Sequence, residues 1–266
     1  MAHNEAQKIM LLLLKEFDRI CRKHQLTYWL DFGTLLGAVR HKGFIPWDDD
    51  LDVSMPQKDY RKFLEVANTE LPETMFFQTK ETDPYALNFI AKIRDRNSTL
   101  IEAWEEGKEI HYHQGIFMDI FPAMRVRERT LKSKLFRSLV IASKITHNRY
   151  IRIEALTKIF IKAINAFSDD EGEYLISAGE TMHYLKPIPV SDFFPLKKIE
   201  FEGEMFPAPR NTDLYLKTIF GDDYMILPPK EKRKVHSVEI FPSVPCAYEQ
   251  RKKSGILSIM ERNSEV

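Results

Sequence analysis

Aspartates stand at positions 48, 50 and 52 in the run Ile45-Pro-Trp-Asp-Asp-Asp-Leu-Asp-Val53. Read as a strand, this run puts the three carboxylates on one face and turns Leu51 and Val53 to the other. Successive acids would lie roughly 7 Å apart, at about 3.4 Å of rise per residue. Like charges gathered so closely need a cation or an equivalent partner. A further acid, Asp119, sits in the apolar run Ile116-Phe-Met-Asp-Ile-Phe121, on the face of Phe117 and Phe121. An acid inside an apolar strand is costly to bury unless it is paired or binds a metal. Magnesium takes carboxylate and phosphate oxygens, and two such ions can clamp the oxygens of an in-line displacement. The expectation is a metal site for phosphoryl chemistry, with Asp50, Asp52 and Asp119 as its acids. Upstream, Gly33-Thr34 opens a short helix and offers backbone N–H groups and a hydroxyl to a phosphate. Arg40 can neutralise charge nearby.

Other readings of these acids fit less well. An EF-hand loop starting at Asp48 has Val53 at its sixth position, where glycine is demanded, and Asp59 rather than Glu at its twelfth. The Asp-x-Asp of a nucleotide-sugar glycosyltransferase also holds a divalent ion against a diphosphate. That motif follows a long nucleotide-binding region, and only about fifty residues precede this one. A solvated acidic turn sits poorly with Trp47, Leu51 and Val53.

The elements that position these residues follow from periodicity. Residues 5–24 carry Ile9, Leu13, Phe17, Ile20 and Cys21 at helical spacing, with Lys15, Glu16, Asp18 and Arg19 mostly opposite. Thr27–Phe32 reads as a strand ended by Gly33, Leu35–His41 as a short helix, and Phe44–Val53 as a strand pairing with the first. Pro56 opens a helix to Asn68 that buries Tyr60, Phe63, Leu64 and Ala67. Strands are expected at Met75–Gln78, Phe89–Arg94, Thr99–Ala103 and Ile116–Phe121, the last closed by Pro122. Residues 125–167 read as a pair of basic amphipathic helices, either a solvated outer face or a contact for anionic lipid or a polyanionic substrate. Beyond an acidic turn at 169–172, Ile199–Phe206 reads as a hairpin around Gly203. Asn211 or Thr212 caps a helix that runs to Phe220 and ends at Gly221. His236 lies in a basic segment, where it contacts phosphate or simply faces solvent.

In the 266 residues, Lys plus Arg and Asp plus Glu both number 39, so no whole-molecule field favours nucleic acid. Cys21 and Cys246 make no disulfide framework, which suits a reducing cytoplasm. The longest continuous apolar run, Ile9–Leu14, is far short of the ~20 residues of a membrane span and too short for a secretory signal. A cytoplasmic protein of mixed α/β class is expected, a mixed sheet flanked by helices. Its parts would be a catalytic core at 1–124, a basic helical insertion at 125–168, and a C-terminal part at 169–266 that packs on the core and completes the site.

These blocks resemble a known superfamily. Gly-Thr after a strand, a short helix, Asp-x-Asp and a later lone Asp are similar to the polymerase-β-type nucleotidyltransferases. More narrowly, Tyr28-Trp-Leu-Asp-Phe-Gly-Thr-Leu-Leu-Gly-Ala-Val-Arg-His41 with Pro46-Trp-Asp-Asp-Asp-Leu-Asp52 resembles the LicD family of phosphorylcholine transferases, to which fukutin-type proteins are distantly related. Gly115–Pro122 matches that family's second block. Lys197–Gly203, Phe220–Met225 and Leu227–Pro229 through His236 match its C-terminal one. The resemblance implies a nucleotidyltransferase-like fold and transfer of phosphocholine from CDP-choline to a sugar hydroxyl, with CMP leaving. The acceptor would be N-acetylgalactosamine of a teichoic acid precursor or a lipopolysaccharide sugar, carried on a lipid at the cytoplasmic membrane surface. It implies Mg2+ or Mn2+ held by Asp50, Asp52 and Asp119, with Asp48 as a supporting or proton-accepting acid. Gly33 and Thr34 would hold the nucleotide phosphates, with Arg40 and His236 as further phosphate contacts. Choline needs a cage of aromatic faces, and Tyr85, Trp104, Tyr112 and Phe117 supply the residue types beside Glu102, Glu105 and Glu106.

Overall fold

In the computed structural model, the described residues are 2–86, 90–127, 171–177 and 187–253. The expected basic helices lie outside them beyond residue 127. Helix α1, Ala2–Lys23, buries Ala6, Met10, Leu13, Leu14, Phe17, Ile20 and Cys21 and packs against the central sheet. Asp18, expected on its polar side, is buried and accepts a hydrogen bond from Tyr28 Oη at 2.6 Å.

The next stretch departs from the expected boundaries. Strand β1 is only Trp29–Leu30, and helix α2 spans Phe32–His41. The helix starts early because Asp31 caps it. The Asp31 carboxylate accepts from Phe32 N at 2.8 Å, and its carbonyl takes Leu35 N at 2.9 Å. Strand β2 is Asp52–Pro56, so the expected strand at Phe44–Val53 is corrected to an irregular loop that reaches β2 only at its end. The reason is a turn in which Asp48 N donates to Ile45 O at 2.9 Å, with Pro46 at the turn position that its ring favours. Only Asp52 of the three alternating acids is therefore on a strand. Glycine is required at position 37, where a Cβ would lie 2.5 Å from the Gly43 carbonyl oxygen.

Helix α3, Gln57–Glu70, follows β2 directly. Strands β3 (Met75–Gln78), β4 (Ala91–Asp95), β5 (Thr99–Glu102) and β6 (Phe117–Val126) come next. Pro122 does not close β6. It falls where the β4 partner has ended at Ile120 and the partner β7 (Tyr174–Ser177) begins at Ala123, so no ladder on that side needs its missing N–H. Arg125, expected in a helix, is in β6 and donates to Gly172 O at 2.9 Å.

The mixed sheet has the order β1-β2-β6-β4-β3, with β7 on β6 and β8 (Ile188–Pro189) on β7. β2 and β6 are parallel, and the other pairs are antiparallel. The C-terminal residues join the same core. A short helix α4 (Val190–Phe193) sets the Phe193 ring 4.6 Å from that of Trp29. Strands β9 (Lys197–Phe201) and β10 (Glu204–Ala208) form the expected hairpin, with Glu202 and Gly203 at positive φ in its turn. Helix α5 (Thr212–Phe220) has Asn211 as its cap and Gly221 beyond its end. Strand β11 (Ser237–Phe241) pairs with β5, and α6 is Ala247–Lys253.

Candidate active site

The parallel pairing of β2 with β6 sets Asp52 beside Asp119 in register. Across the other edge of β6, Lys92 of β4 is the partner of Asp119. A row of Lys92, Asp119 and Asp52 thus crosses three strands. The Lys92 Nζ lies 2.8 Å from Asp119 Oδ1 and 3.8 Å from the centroid of the Phe117 ring. Asp52 is fixed at its backbone: its N–H donates to Thr34 Oγ1 at 2.8 Å, and its carbonyl accepts from Asp31 N at 3.0 Å. Asp119 N donates to Leu51 O at 2.8 Å.

Asp48 and Asp50 reach the same place from the loop. Asp48 Oδ2 lies 3.0 Å from where a Gly33 Cβ would be, against the bare backbone at the start of α2. Burial, then the charges of Asp50 and Asp49, raise the proton affinity of Asp48 well above the usual carboxylate range; His236 and Arg40 act against them. Asp52 is raised for the same reasons: burial first, then Asp50, Asp119, Asp48 and Asp31. These carboxylates crowd one another although, of the three alternating acids, only Asp52 stands on a strand. Their convergence comes from the loop and two neighbouring strands, not from one strand face.

His236 is placed among the acids. Its Nδ1 is 3.2 Å from Asp50 Oδ2 and 3.5 Å from Asp49 Oδ1, and hydrogen bonds to Asp49 and then Asp50 push its pKa up to about 11. Asp49, to which the sequence reading gave no role, is 2% exposed. It accepts from His236 N at 3.0 Å, from Ser237 N at 2.5 Å and from Ser237 Oγ. Burial disfavours its charge, but the donors of His236 and Ser237 outweigh that and hold it down to about 2. The C-terminal segment also sets Arg233 4.0 Å from the Trp47 ring centroid, and Ile226 O accepts from Arg40 at 3.5 Å. Half-buried Arg40 is lowered by burial and partly restored by Asp48.

The expected phosphate seat is divided in use. The Thr34 hydroxyl is buried and its oxygen is engaged by Asp52 N, so it braces the acids. The N–H groups of Gly33 and Thr34 remain as first-turn donors that a helix leaves without an internal carbonyl. Phe32, at φ +40°, bends the chain into that turn. Asp31 was also missed as a site-building residue. It is fully buried and accepts from Ser54 Oγ and Tyr215 Oη as well as Phe32 N. An acid directly before Phe-Gly-Thr is a helix-cap signal that could have found it.

Of the four proposed choline rings, Trp104 and Tyr112 meet each other, while Tyr85 and Phe117 have other partners. Trp104 stacks on Tyr112 at 6.2 Å, and Tyr112 Oη donates to Glu105. Tyr85 pairs with His111 at 5.8 Å. Phe117 already carries Lys92 and, at 4.7 Å, Arg94.

Among the described residues, no three His, Cys, Asp or Glu side chains stand as a finished ion cage. Several carboxylates, raised by burial and then by one another's charge, are donors of the type a hard divalent ion takes.

A family model described as "LicD/FKTN/FKRP, nucleotidyltransferase domain" matches residues 25–139, which hold α2, the acidic loop, Lys92 and Asp119. The chain belongs to the LicD family and is an enzyme of the transferase class. It is 30% identical to the lipopolysaccharide cholinephosphotransferase LicD of Haemophilus influenzae (strain ATCC 51907 / DSM 11121 / KW20 / Rd), over 88% of this chain and 96% of that relative. Shorter matches link it to the uncharacterized proteins RT0683 of Rickettsia typhi, 44% identical over 54 residues, and RP689 of Rickettsia prowazekii, 49% over 47 residues. Each covers 18% of the relative, and 20% and 18% of this chain respectively.

Proposed function

We propose that this enzyme transfers phosphocholine from CDP-choline to a sugar hydroxyl of a lipopolysaccharide or teichoic acid precursor, for instance N-acetylgalactosamine, and releases CMP. The observation that carries the reading is the registered pair of Asp52 and Asp119 with Asp48 crowded against it, in a chain similar over most of its length to a cholinephosphotransferase.

The acceptor oxygen attacks the phosphorus that bears choline. A new P–O bond forms as the bond from that phosphorus to the bridging oxygen breaks, and CMP leaves with the electron pair. Asp48, whose proton affinity is raised, fits as the group that takes the hydroxyl proton. The N–H groups of Gly33 and Thr34 and the cations Arg40 and His236 are suited to orient the diphosphate. Asp50, Asp52 and Asp119 would hold Mg2+ or Mn2+, which supplies neutralisation of phosphate charge when bound. The stacked pair of Trp104 and Tyr112, with Glu105 at hand, offers an aromatic face and an acid for choline. A lipid-carried acceptor would bring the enzyme to the inner face of the cytoplasmic membrane. No helix among the described residues is long and apolar enough to cross a membrane.

The test is purified protein with CDP-choline and a glycan acceptor, with CMP and choline-modified glycan both quantified. CMP release that needs Mg2+ or Mn2+ and stops with chelator is expected. Pyrophosphate release from a nucleoside triphosphate would indicate nucleotidyl transfer instead, and binding of CDP-choline without turnover would indicate a non-catalytic binder.

A further inference from the structure

Lys92 has no role in the proposed transfer, yet it is 4% exposed inside the acid row. A lysine brought out of water needs a partner that restores what solvation gave it. Its neighbour Arg94 finds structural partners, donating to Gln78 Oε1 at 2.6 Å and Gly115 O at 2.8 Å. Lys92 is aimed instead at Asp119 Oδ1, 2.8 Å away, with the Phe117 ring steadying the ammonium. Strand register explains why: Lys92, Asp119 and Asp52 are successive partners across β4, β6 and β2.

We propose that Lys92 is a positioning residue, a built-in counter-ion that holds one oxygen of the Asp119 carboxylate and offsets its charge beside Asp52 until an external cation arrives. This rests on the reading of Asp119 as a working acid. Without the ammonium, the charge of Asp119 beside Asp52 would be uncompensated and its carboxylate unfixed. The ammonium and an incoming divalent ion then compete for one carboxylate. Removing the ammonium leaves the cluster one unit more negative, so the ion binds more tightly while the acid loses its alignment.

The experiment compares wild type with Lys92→Met and Lys92→Gln, without substrate, by reading the melting temperature as Mn2+ is added. Both variants should start lower, show a larger ion-induced rise, and half-saturate at roughly tenfold lower Mn2+, as one neighbouring charge at protein dielectric predicts. With CDP-choline, kcat should fall about 10–100-fold, the range for residues that orient a metal ligand, with KM for the donor little changed. A lysine that merely holds the strands together would lower the starting temperature and leave half-saturation where wild type has it; that result overturns the proposal. Asp119→Asn and the double variant Lys92→Met/Asp119→Asn complete a cycle that needs neither metal nor turnover. Strong non-additivity of the melting shifts supports the coupling, and simple addition refutes it. A wild type inert to Mn2+ and to CDP-choline would overturn the proposed function itself, with the cycle still deciding the Lys92–Asp119 coupling.

Discussion

At the scale of single residues, the acids oppose the stability of the protein they serve. Asp52 has a folded-state proton affinity raised well above the ordinary carboxylate range. Its ionised form is therefore disfavoured by folding, and the fold loses stability as pH rises above the unfolded value. At neutral pH, Asp52→Asn should raise the melting temperature while reducing CMP release by at least about 100-fold. Asp119→Asn should match it in activity and differ in stability, because it leaves the buried Lys92 ammonium without its carboxylate. Thermal melts beside product assays separate the two; near-normal turnover in both variants would falsify the assignment of these acids. At this scale the sequence was informative about chemical type and less so about partners. Asp50, Asp52 and Asp119 were legible as a cluster because charge in apolar surroundings is conspicuous. Lys92 and Asp49 were not, since each acquires its meaning from a contact made across strands or from residues 236–237, whereas Asp31 left a helix-cap signal in the sequence.

At the scale of elements, the loop at 44–51 shows where pattern reading stops. Alternation of apolar and acidic residues suggested a strand. The turn at Pro46-Trp47 and the inward fixation of Asp49 override it, since a buried carboxylate accepting several N–H groups outweighs a few ladder bonds. Elements with strong local signals, such as the hairpin turn at Glu202-Gly203 and the Asn211 cap, formed where the sequence placed them. Two glycines of α2 allow a contrast. An alanine methyl at position 37 would meet the Gly43 carbonyl at 2.5 Å, a backbone atom that cannot swing aside. Gly37→Ala should cost about 1–3 kcal/mol by overpacking, less the helix-propensity gain of roughly 0.5–1 kcal/mol. At position 33 the methyl meets Asp48 Oδ2 at 3.0 Å, the end of a side chain that can turn away. Gly33→Ala should leave the melting temperature nearly unchanged and lower turnover by displacing Asp48. A large stability loss at 33, or none at 37, would contradict this division.

At the scale of the whole molecule, stability should have an acid edge set by His113. This imidazole is fully buried, and burial first, with Arg94 and Arg96 adding to it, lowers its pKa to about 4 against the pull of Glu249. Phe76 stacks on its ring at 4.7 Å, and Glu249 of α6 lies 3.2 Å from its Nε2. Between the ordinary value near 6.5 and the folded value near 4, the unfolded chain binds a proton that the folded chain refuses. Stability is thus intact above about 6.5 and falls as pH drops toward 4. Melting temperatures across that window should decline, and His113→Gln should flatten the decline even if it lowers the whole curve. The topology of a mixed sheet with flanking helices could be expected from the alternation of strand and helix patterns. That a C-terminal part would complete the site was expected, but its anchor, Asp49 held by His236 and Ser237, was not, because such long-range pairing leaves no local periodicity.

That anchor has a consequence for how the enzyme is made. Asp49 waits for partners 187 and 188 positions later in the chain. During synthesis the acids emerge early and the residues that brace their loop emerge late. A ribosome stalled before residue 236 releases a product that has every acid of the row and no Asp49 anchor. Bracing of the acidic loop therefore waits until residues 236 and 237 are made, and copies truncated before them lack that brace.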